Sequence, residues 1–255
     1  MPAAVAALAT GQPVDLVWQN QLGGLTFAVG HGPSRRFVKW VPRLGPLDLS
    51  REAVRLSWAA PYTAVPLPID QGGDEEGSWL VTTALPGDNA VSDRWRANPA
   101  AAVAAIGRGL RHLHDVLPVA PCPFSWSVED RLADARRRAA GGEIDTAAWH
   151  PDHRHLGLDQ AMELLADPPP IDRPVVCQGD ACAPNTLIGE DGECSGHVDM
   201  GQLGVADRWA DIAVATWSTT WNYGPGWQEL LLDAYGIAPD RERTAYYRLL
   251  WDLGP

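Results

Sequence analysis

The pattern of apolar and polar residues changes about a third of the way along the chain. Before that point, short apolar runs bounded by Gly and Pro turns predict strands over residues 14–19, 25–30, 36–41, 64–69 and 78–85. Residues 47–60 instead carry apolar side chains at helical spacing, with Asp48 or Ser50 as the candidate N-cap. These elements predict a small antiparallel sheet with one helix packed on it. The alanine-rich start, PAAVAALA, is interpreted as a frayed helix or a cap.

The remainder of the chain is mainly helical by the same criterion. Helical spacing predicts helices over residues 98–117 and 128–139, and three more in DRWADIAVATWSTTW, GWQELLLDAYG and DRERTAYYRLLW. Short strands are predicted between them, over residues 174–178, 185–189 and 196–199. We therefore expect an α+β fold with two lobes that meet closely near Pro86. Residues 1–85 form the small sheet lobe with its helix, and residues 86–255 form the larger, mainly helical lobe.

Charge and cysteine content narrow the possible partners. The net charge of −12 argues against nucleic acid or an anionic membrane surface and would suit a cationic small molecule, although solubility alone explains it as well. No basic stretch followed by an apolar run is present at the N-terminus, and the four cysteines do not form CxxC pairs. We expect a cytoplasmic protein with reduced, buried cysteines.

Three polar residues follow one another around the short strands of the second half. Asp180 and Asn185 lie in CQGDACAPNTL, and Asp199 follows fourteen residues after Asn185 in CSGHVDMG. Phosphoryl transfer needs one carboxylate to accept the proton of the attacking hydroxyl, and an amide and a second carboxylate to hold Mg²⁺. A single Asp or Asn here would be interpreted as a turn cap, but the ordered set is typical of a kinase catalytic loop and its metal-binding segment.

The first half contains residues that such a reaction requires. Lys39 lies in FVKW on the third predicted strand, and Glu52 lies on the helix that follows. A strand lysine paired with a helix glutamate anchors the α- and β-phosphates in kinases, whereas Lys39 alone would be interpreted as a surface residue of an edge strand.

The nucleotide-covering segments are less distinctive. Gly23 and Gly24 are candidates for a turn over the phosphates, since glycine lets the backbone approach a nucleotide closely. The chain contains neither GxGxxG nor a Walker motif. Thr83 and Ala84 lie where the predicted lobes join, and their backbone is the candidate partner of adenine.

These motifs belong to longer segments that are similar to a known family. VVCQGDACAPNTLI, GHVDMGQLGVADRWADIAVA, WNYG and AYYRLL resemble the aminoglycoside phosphotransferase family, most closely its bacterial 3′-phosphotransferases. The similarity extends through WLVTTALPG, LRHLHDVLPVAPCPF and REAVRLSW. The resemblance implies a bilobal protein-kinase-like fold, a monomer or weak dimer, and ATP with Mg²⁺. It also implies transfer of the γ-phosphate to a hydroxyl of an aminoglycoside antibiotic, which confers resistance.

Residue by residue, the resemblance implies a role for each motif position. Asp180 would be the catalytic base, Asn185 and Asp199 the Mg²⁺ ligands, and Lys39 with Glu52 the phosphate anchor. The carboxylate of Asp211 would brace the catalytic loop. Gln178 stands where the family has a His that packs behind this loop. Because Gln also donates and accepts hydrogen bonds, we predict a loop that is altered in rate but active.

The resemblance also implies that carboxylates bind the polycationic acceptor, from the segment before the catalytic loop and from the C-terminal helices. The candidates are Asp145, Asp152, Asp159, Glu229 and Asp252. The alternative interpretation is a solvated charged surface. His150, His153 and His155 are interpreted as a surface turn, because no further metal ligand stands at standard spacing. Most of the twelve tryptophans are expected in the core, and an exposed subset would indicate a flatter or more aromatic acceptor than an aminoglycoside.

Two other functions stay open at this point. One is a kinase of the same fold that acts on another small hydroxylated molecule. The other is a nucleotide-binding pseudokinase, suggested by Gln178 and by the glycine turn, against which the retained Lys39, Asp180, Asn185 and Asp199 argue. The sequence leaves the acceptor, the phosphorylated hydroxyl and the choice between ATP and GTP undetermined.

Overall fold

A computed structural model describes residues 1–20, 22–45 and 47–254, so Pro255, the predicted end of the second lobe, lies outside the described residues. Its first part is an antiparallel five-stranded sheet of order β1-β2-β3-β5-β4. The strands are β1 (Val14–Gln19), β2 (Leu25–Val29), β3 (Arg36–Pro42), β4 (Pro68–Gly73) and β5 (Gly77–Thr83).

Both faces of this sheet are covered, because successive residues of a strand point to opposite sides. On one face, Val38 and Val81 pack with Val5 of a short N-terminal helix, α1 (Ala3–Ala9). On the other face, Leu80 packs with Leu56 of α2 (Leu49–Ala59) in the larger core of the molecule. The side chain of Asp48 caps α2 by accepting a hydrogen bond from the amide of Ser50, at 2.9 Å. The predicted sheet with a packed helix is confirmed, and α1 adds a second helix.

Helices dominate the rest of the chain. They are α3 (Asp93–Arg96), α4 (Pro99–Val116), α5 (Val128–Ala140), α6 (Leu158–Leu164), α7 (Trp209–Tyr223), α8 (Gln228–Tyr235) and α9 (Arg241–Asp252). Helix α4 is central, with Ile106, Leu110 and Leu113 almost fully buried where it packs on α8. The α+β architecture predicted from the sequence is confirmed, while the division at residues 85 and 86 stays a prediction.

Two small sheets support the loops between these helices. Strand β7 (Pro174–Cys177) pairs with β10 (Gly204–Asp207), and β8 (Thr186–Ile188) lies between β6 (Asp88–Asn89) and β9 (Cys194–His197). The catalytic-loop candidates follow β7 and precede β8, and Asp199 follows β9. The candidate residues thus stand at the ends of short, buried strands.

Several predicted boundaries were wrong. The strand predicted at 64–69 is observed as β4 at Pro68–Gly73, an edge strand that begins at a proline, the position in a strand where a missing N–H is tolerated. Strand β10 (Gly204–Asp207) was missed: the next predicted helix was taken to begin at Asp207, and no strand was predicted before it. The four cysteines are free as expected, but only Cys177 is buried, and the others are half-buried. Across the described residues, none of the helices combines the length and apolar character needed to cross a membrane.

Candidate active site

Lys39 joins two carboxylates that come from distant parts of the chain. Its Nζ lies 2.7 and 2.8 Å from the two carboxylate oxygens of Glu52, and 2.9 Å from Oδ1 of Asp199. Burial by itself would lower the pKa of Lys39, but the charges of Asp199 and Glu52 outweigh it and raise that pKa. The side chain of Glu52 is buried, whereas that of Asp199 is half exposed. The ammonium is therefore held charged at the base of an open site.

Asp180 and Asn185 face each other across a tight loop between β7 and β8. Nδ2 of Asn185 donates to the backbone oxygen of Asp180 at 2.8 Å and to its Oδ2 at 3.0 Å. Oδ1 of Asp180 is buried and has no hydrogen-bond partner among the described residues. Burial, followed by the charge of Asp199, raises the pKa of Asp180 to about 6. One carboxylate oxygen is thus fixed by Asn185, and the other is left to accept a proton.

Gln178 is fully buried and connects the two loops that carry Asp180 and Asp199. Its Oε1 accepts from the amide of Asp180 at 2.6 Å. Its Nε2 donates to the backbone oxygens of Val198 at 2.9 Å and of Asp199 at 3.1 Å. Each polar atom of this side chain is satisfied, and the same side chain spans both loops. The prediction that Gln178 can make hydrogen bonds behind the loop agrees with these contacts.

Asp211, in the first turn of α7, binds the backbone of the same loop. Its carboxylate is buried and accepts from the amides of Gln178 at 2.6 Å and Gly179 at 3.0 Å. The imidazole of His114 on α4 lies 3.0 Å from Asp211 through Nε2 and 2.8 Å from the hydroxyl of Tyr235 through Nδ1. Sequence reasoning missed His114 and Tyr235. The available signal was a histidine on the apolar face of a predicted helix.

Two residues of the site have left-handed backbone conformations. Gly179 has φ of +89°, and a Cβ there would lie 2.4 Å from the backbone oxygen of Gln202, so the position accepts only glycine. Asp199 has φ of +60°, which is uncommon outside glycine and costs about 1 kcal/mol. Strain of this kind persists where surrounding contacts hold it, here those of Lys39 and Gln178 with Asp199.

The other residues predicted to contact the nucleotide lie in the five-stranded sheet or in the turns beside it. Gly23 has φ of +84°, and the amide of Gly24 donates to Oδ1 of Asn20 at 2.7 Å, which closes the turn between β1 and β2. The amide of Thr83 donates to the oxygen of Leu67 at 2.9 Å and is therefore engaged inside the sheet. Pairing of adenine with this segment stays a prediction, with the backbone of Ala84 as its remaining donor.

The predicted acceptor carboxylates do not form one cluster. Asp145 caps a short 3₁₀ turn through the amide of Ala147, at 2.9 Å, and Asp152, Asp159 and Glu229 are exposed. Asp252 is turned inward instead, with its Oδ2 2.5 Å from Nδ1 of His153. Among the described residues, none of these carboxylates shares a hydrogen bond with Asp180, Asn185 or Asp199.

Comparison with known proteins identifies the family of the chain. The model of the phosphotransferase enzyme family matches residues 20–247. The aminoglycoside 3′-phosphotransferase of Streptomyces fradiae is 35% identical over 249 residues, which are 91% of each chain. The streptomycin 3″-kinase of Streptomyces griseus is 35% identical over 237 residues, which are 83% of this chain and 82% of that enzyme.

Solved structures agree with the sequence relatives. The crystal structure of an aminoglycoside-3′-phosphotransferase of type VIII superimposes with a TM-score of 0.84 at 31% identity, over 98% of each chain. The aminoglycoside phosphotransferase APH(3″)-Id of Streptomyces rimosus, in complex with ADP and streptomycin, superimposes with a TM-score of 0.76 at 27% identity, over 99% of each chain. The chain therefore belongs to the phosphotransferase enzyme family, as a kinase with the fold of the aminoglycoside phosphotransferases.

Proposed function

We propose that this protein is an ATP-dependent O-phosphotransferase that transfers the γ-phosphate to a hydroxyl of an aminoglycoside, and so confers resistance to it. The observation that carries the proposal is the convergence of Lys39, Glu52 and Asp199 beside a loop whose Asp180 has one unpartnered carboxylate oxygen. The relatives named as aminoglycoside phosphotransferases, and the one bound to ADP and streptomycin, support the same activity.

Asp180 is the proposed catalytic base. Nδ2 of Asn185 donates to its Oδ2, and Oδ1, which has no hydrogen-bond partner among the described residues, is the oxygen proposed to accept the proton of the acceptor hydroxyl. With a pKa of about 6, the carboxylate is ionised at neutral pH and still basic enough to accept that proton. The acceptor oxygen then bonds to the γ-phosphorus, the bond from that phosphorus to the bridging oxygen breaks, and ADP leaves with its electron pair.

Lys39 is the proposed anchor of the α- and β-phosphates, and Glu52 orients it. Both oxygens of Glu52 contact the ammonium, so the lysine is fixed in direction as well as in charge. Gly23, Gly24 and the backbone of Thr83 and Ala84 are proposed on the nucleotide side. The reaction would take place in the cytoplasm, where ATP is available, in a monomer or weak dimer. The net charge of −12 would attract the cationic acceptor.

Asn185 and Asp199 fit the requirements of a magnesium site. Hydrogen bonds from Nδ2 of Asn185 to Asp180 leave the amide oxygen of Asn185 available. Asp199 is half exposed and contacts Lys39 through Oδ1, which leaves Oδ2 for a metal ion. Oxygen donors of these two kinds are what Mg²⁺ prefers, and the bound ion would neutralise charge on the phosphates. The chain itself orients these oxygens through Gln178, which holds the backbone of Asp199.

The experiment is ATP turnover with a panel of aminoglycosides, other antibiotics and sugars, followed as ADP release and as the mass of the acceptor. We expect phosphorylation of at least one aminoglycoside, and a loss of about 10²–10⁴ in rate in Asp180→Asn, since a general base is removed. Asp167→Asn, at an exposed carboxylate, is the matched control.

The alternatives predict different results. Turnover with non-aminoglycosides alone would identify another small-molecule kinase, and ATP binding without any turnover would identify a pseudokinase. Turnover undiminished in Asp180→Asn would contradict the assignment of the base.

A further inference from the structure

Aromatic rings lie where the segment before α6 meets α7 and α9, and the exposed Asp152 lies beside them, with its Oδ2 3.4 Å from Nδ1 of His150. We call Trp217, Trp221, His150 and His153 the aromatic cluster. The ring centroids of His150 and Trp217 are 4.2 Å apart, those of Trp217 and Trp221 5.2 Å, and those of His153 and Trp217 5.5 Å. Residues 151–155 form a surface turn as expected, with His155 exposed, and within this region His150 and His153 are partly buried against Trp217 of α7.

The polar groups around the aromatic cluster support its rings. Asp252 of α9 accepts from the amide of His150 at 3.2 Å and lies 2.5 Å from Nδ1 of His153. The guanidinium of Arg248 lies 5.3 Å from the ring centroid of Trp217. Asp252, predicted to bind the acceptor, is thus used to hold the histidines. These contacts leave Asp252 largely buried, and the carboxylate that is open beside the rings is that of Asp152.

Only one of the two tryptophans in the aromatic cluster offers an open face. Trp217 is 2% exposed and serves as the support of its neighbours, whereas Trp221 is 44% exposed. The contacts with Trp217 and His150, whose ring centroid is 6.2 Å from that of Trp221, restrict the orientation of the exposed indole. A rigid aromatic face of this kind binds ligands at a low entropic cost, because few rotamers are lost.

Helix α7 brings Trp221 close to the catalytic loop. Oγ of Ser218, the residue after Trp217, accepts from the amide of Ala183 at 2.9 Å, three residues after Asp180. Asn222, the residue after Trp221, donates through Nδ2 to Ser218 at 3.1 Å. Trp221 therefore lies within one helical turn of the residue that holds the loop.

The end of α7 also favours positive charge. Trp221 stands in the last turn, which ends at Tyr223 and is followed by Gly224. The carbonyl groups of a last turn carry the negative end of the helix dipole and attract cations. An aromatic face attracts cations by its quadrupole as well, and it packs against the C–H groups of a sugar ring.

We propose that Trp221 is a specificity-determining residue of the acceptor site, where its indole face stacks on an amino-sugar ring and contacts its ammonium groups. The inference rests on the proposed function and names the group that recognises the acceptor. It adds a fixed aromatic face beside a helix C-terminus to the predicted carboxylates. The exposed indole is assigned to the C–H face of a sugar ring, and not to the flatter acceptor expected from an exposed tryptophan.

The test compares Trp221→Ala with Trp221→Phe and with Tyr62→Ala. Tyr62 is a matched control, since it is 42% exposed, packs on Trp58 at 5.4 Å between ring centroids, and lies on the loop after α2. For each aminoglycoside that the wild type phosphorylates, Trp221→Ala is expected to raise the acceptor KM about tenfold, with kcat and the KM for ATP within about twofold. Trp221→Phe keeps a ring and is expected within about threefold of wild type.

Unchanged acceptor KM in Trp221→Ala overturns the proposal, as does an equal rise in Tyr62→Ala. If the wild type phosphorylates no aminoglycoside, the proposed function fails, and Trp221 is tested separately by calorimetric titration of streptomycin and hygromycin B. Weaker binding in Trp221→Ala than in Tyr62→Ala then supports the aromatic face. Equal affinities, or no binding to the wild type, overturn it. Thermal unfolding of each variant checks that the fold is intact.

Discussion

Lys39 Nζ and Asp199 Oδ1 lie 2.9 Å apart, although 160 positions separate the two residues in sequence. The ion pair links β3 to the loop after β9, and the same ammonium holds Glu52 of α2. Three elements therefore depend on one cation. Charges so placed affect both the folded state and the phosphate chemistry, and variants can separate these two effects.

Lys39→Met should lower both stability and turnover. The buried carboxylate of Glu52 loses its partner, which costs roughly 2–4 kcal/mol of unfolding free energy. The double variant Lys39→Met/Glu52→Gln should recover most of the stability, measured by urea unfolding, but none of the turnover. Arg108→Met, which breaks an exposed pair with Glu193, should cost less than about 1 kcal/mol. Recovery of turnover in the double variant would show that the lysine does not anchor phosphate.

Gln178→Leu should reduce turnover at least about tenfold and lower the unfolding free energy by about 3 kcal/mol or more. The amide of Asp180 and the backbone oxygens of Val198 and Asp199 lose their buried partner, at roughly 1–3 kcal/mol for each group left unsatisfied. Gln160→Leu, at an exposed position of α6, is the control. Steady-state kinetics and urea unfolding measure the two effects, and wild-type kinetics in Gln178→Leu would rule out a positioning role.

Asp211→Asn should destabilise the catalytic loop through its backbone amides, with no direct contact to a substrate lost. One of the oxygens that accept from the amides of Gln178 and Gly179 becomes an NH₂ group, so at least one buried donor loses its acceptor. We expect a loss of about 2–4 kcal/mol in unfolding free energy and faster amide exchange at residues 178 and 179. Asp159→Asn, exposed on α6, should change neither quantity. Unaltered exchange in Asp211→Asn would exclude the bracing role.

His197 should make stability depend on pH. Burial lowers its pKa from 6.5 to about 4, against the opposing charge of Asp211. The unfolded chain therefore binds a proton at this histidine below about pH 6.5, whereas the folded chain binds it only near pH 4. The free energy of unfolding falls as the pH falls through this window.

Between pH 7 and pH 5, this group should remove about 2 kcal/mol of unfolding free energy. His197→Phe should lack that part of the pH dependence, whereas His155→Phe, at an exposed histidine, should keep it. Urea unfolding at the two pH values measures the change in unfolding free energy. The same change in wild type and in His197→Phe would refute the assignment.

The residues proposed to handle phosphate could be named from the sequence, because each lies in a short motif whose chemistry constrains its type. The few residues around each position were enough to identify Lys39, Asp180, Asn185 and Asp199. Strand β10 was missed, since four residues carry too little periodicity to distinguish a strand from a helix start.

The acceptor side was harder, because it depends on how side chains meet across the fold. Nothing local in the sequence shows that Asp252 turns toward His153, 99 positions away, and not toward solvent. The same holds for His114, whose partners Asp211 and Tyr235 are 97 and 121 positions away. Such contacts are decided by tertiary packing and not by local pattern.

Helix α7 contributes to the site at three positions along its length. Its first turn holds Asp211 against the catalytic loop, its middle holds the loop again through Ser218, and its last turn carries Trp221. Because buried positions in the first turns tolerate few changes and the exposed end tolerates many, natural variation can accumulate at the tip while the chemistry is preserved. With Trp221 in its proposed role, a change of acceptor would require substitutions only at this exposed end of α7, while the buried contacts of Asp211 and Ser218 stay as they are.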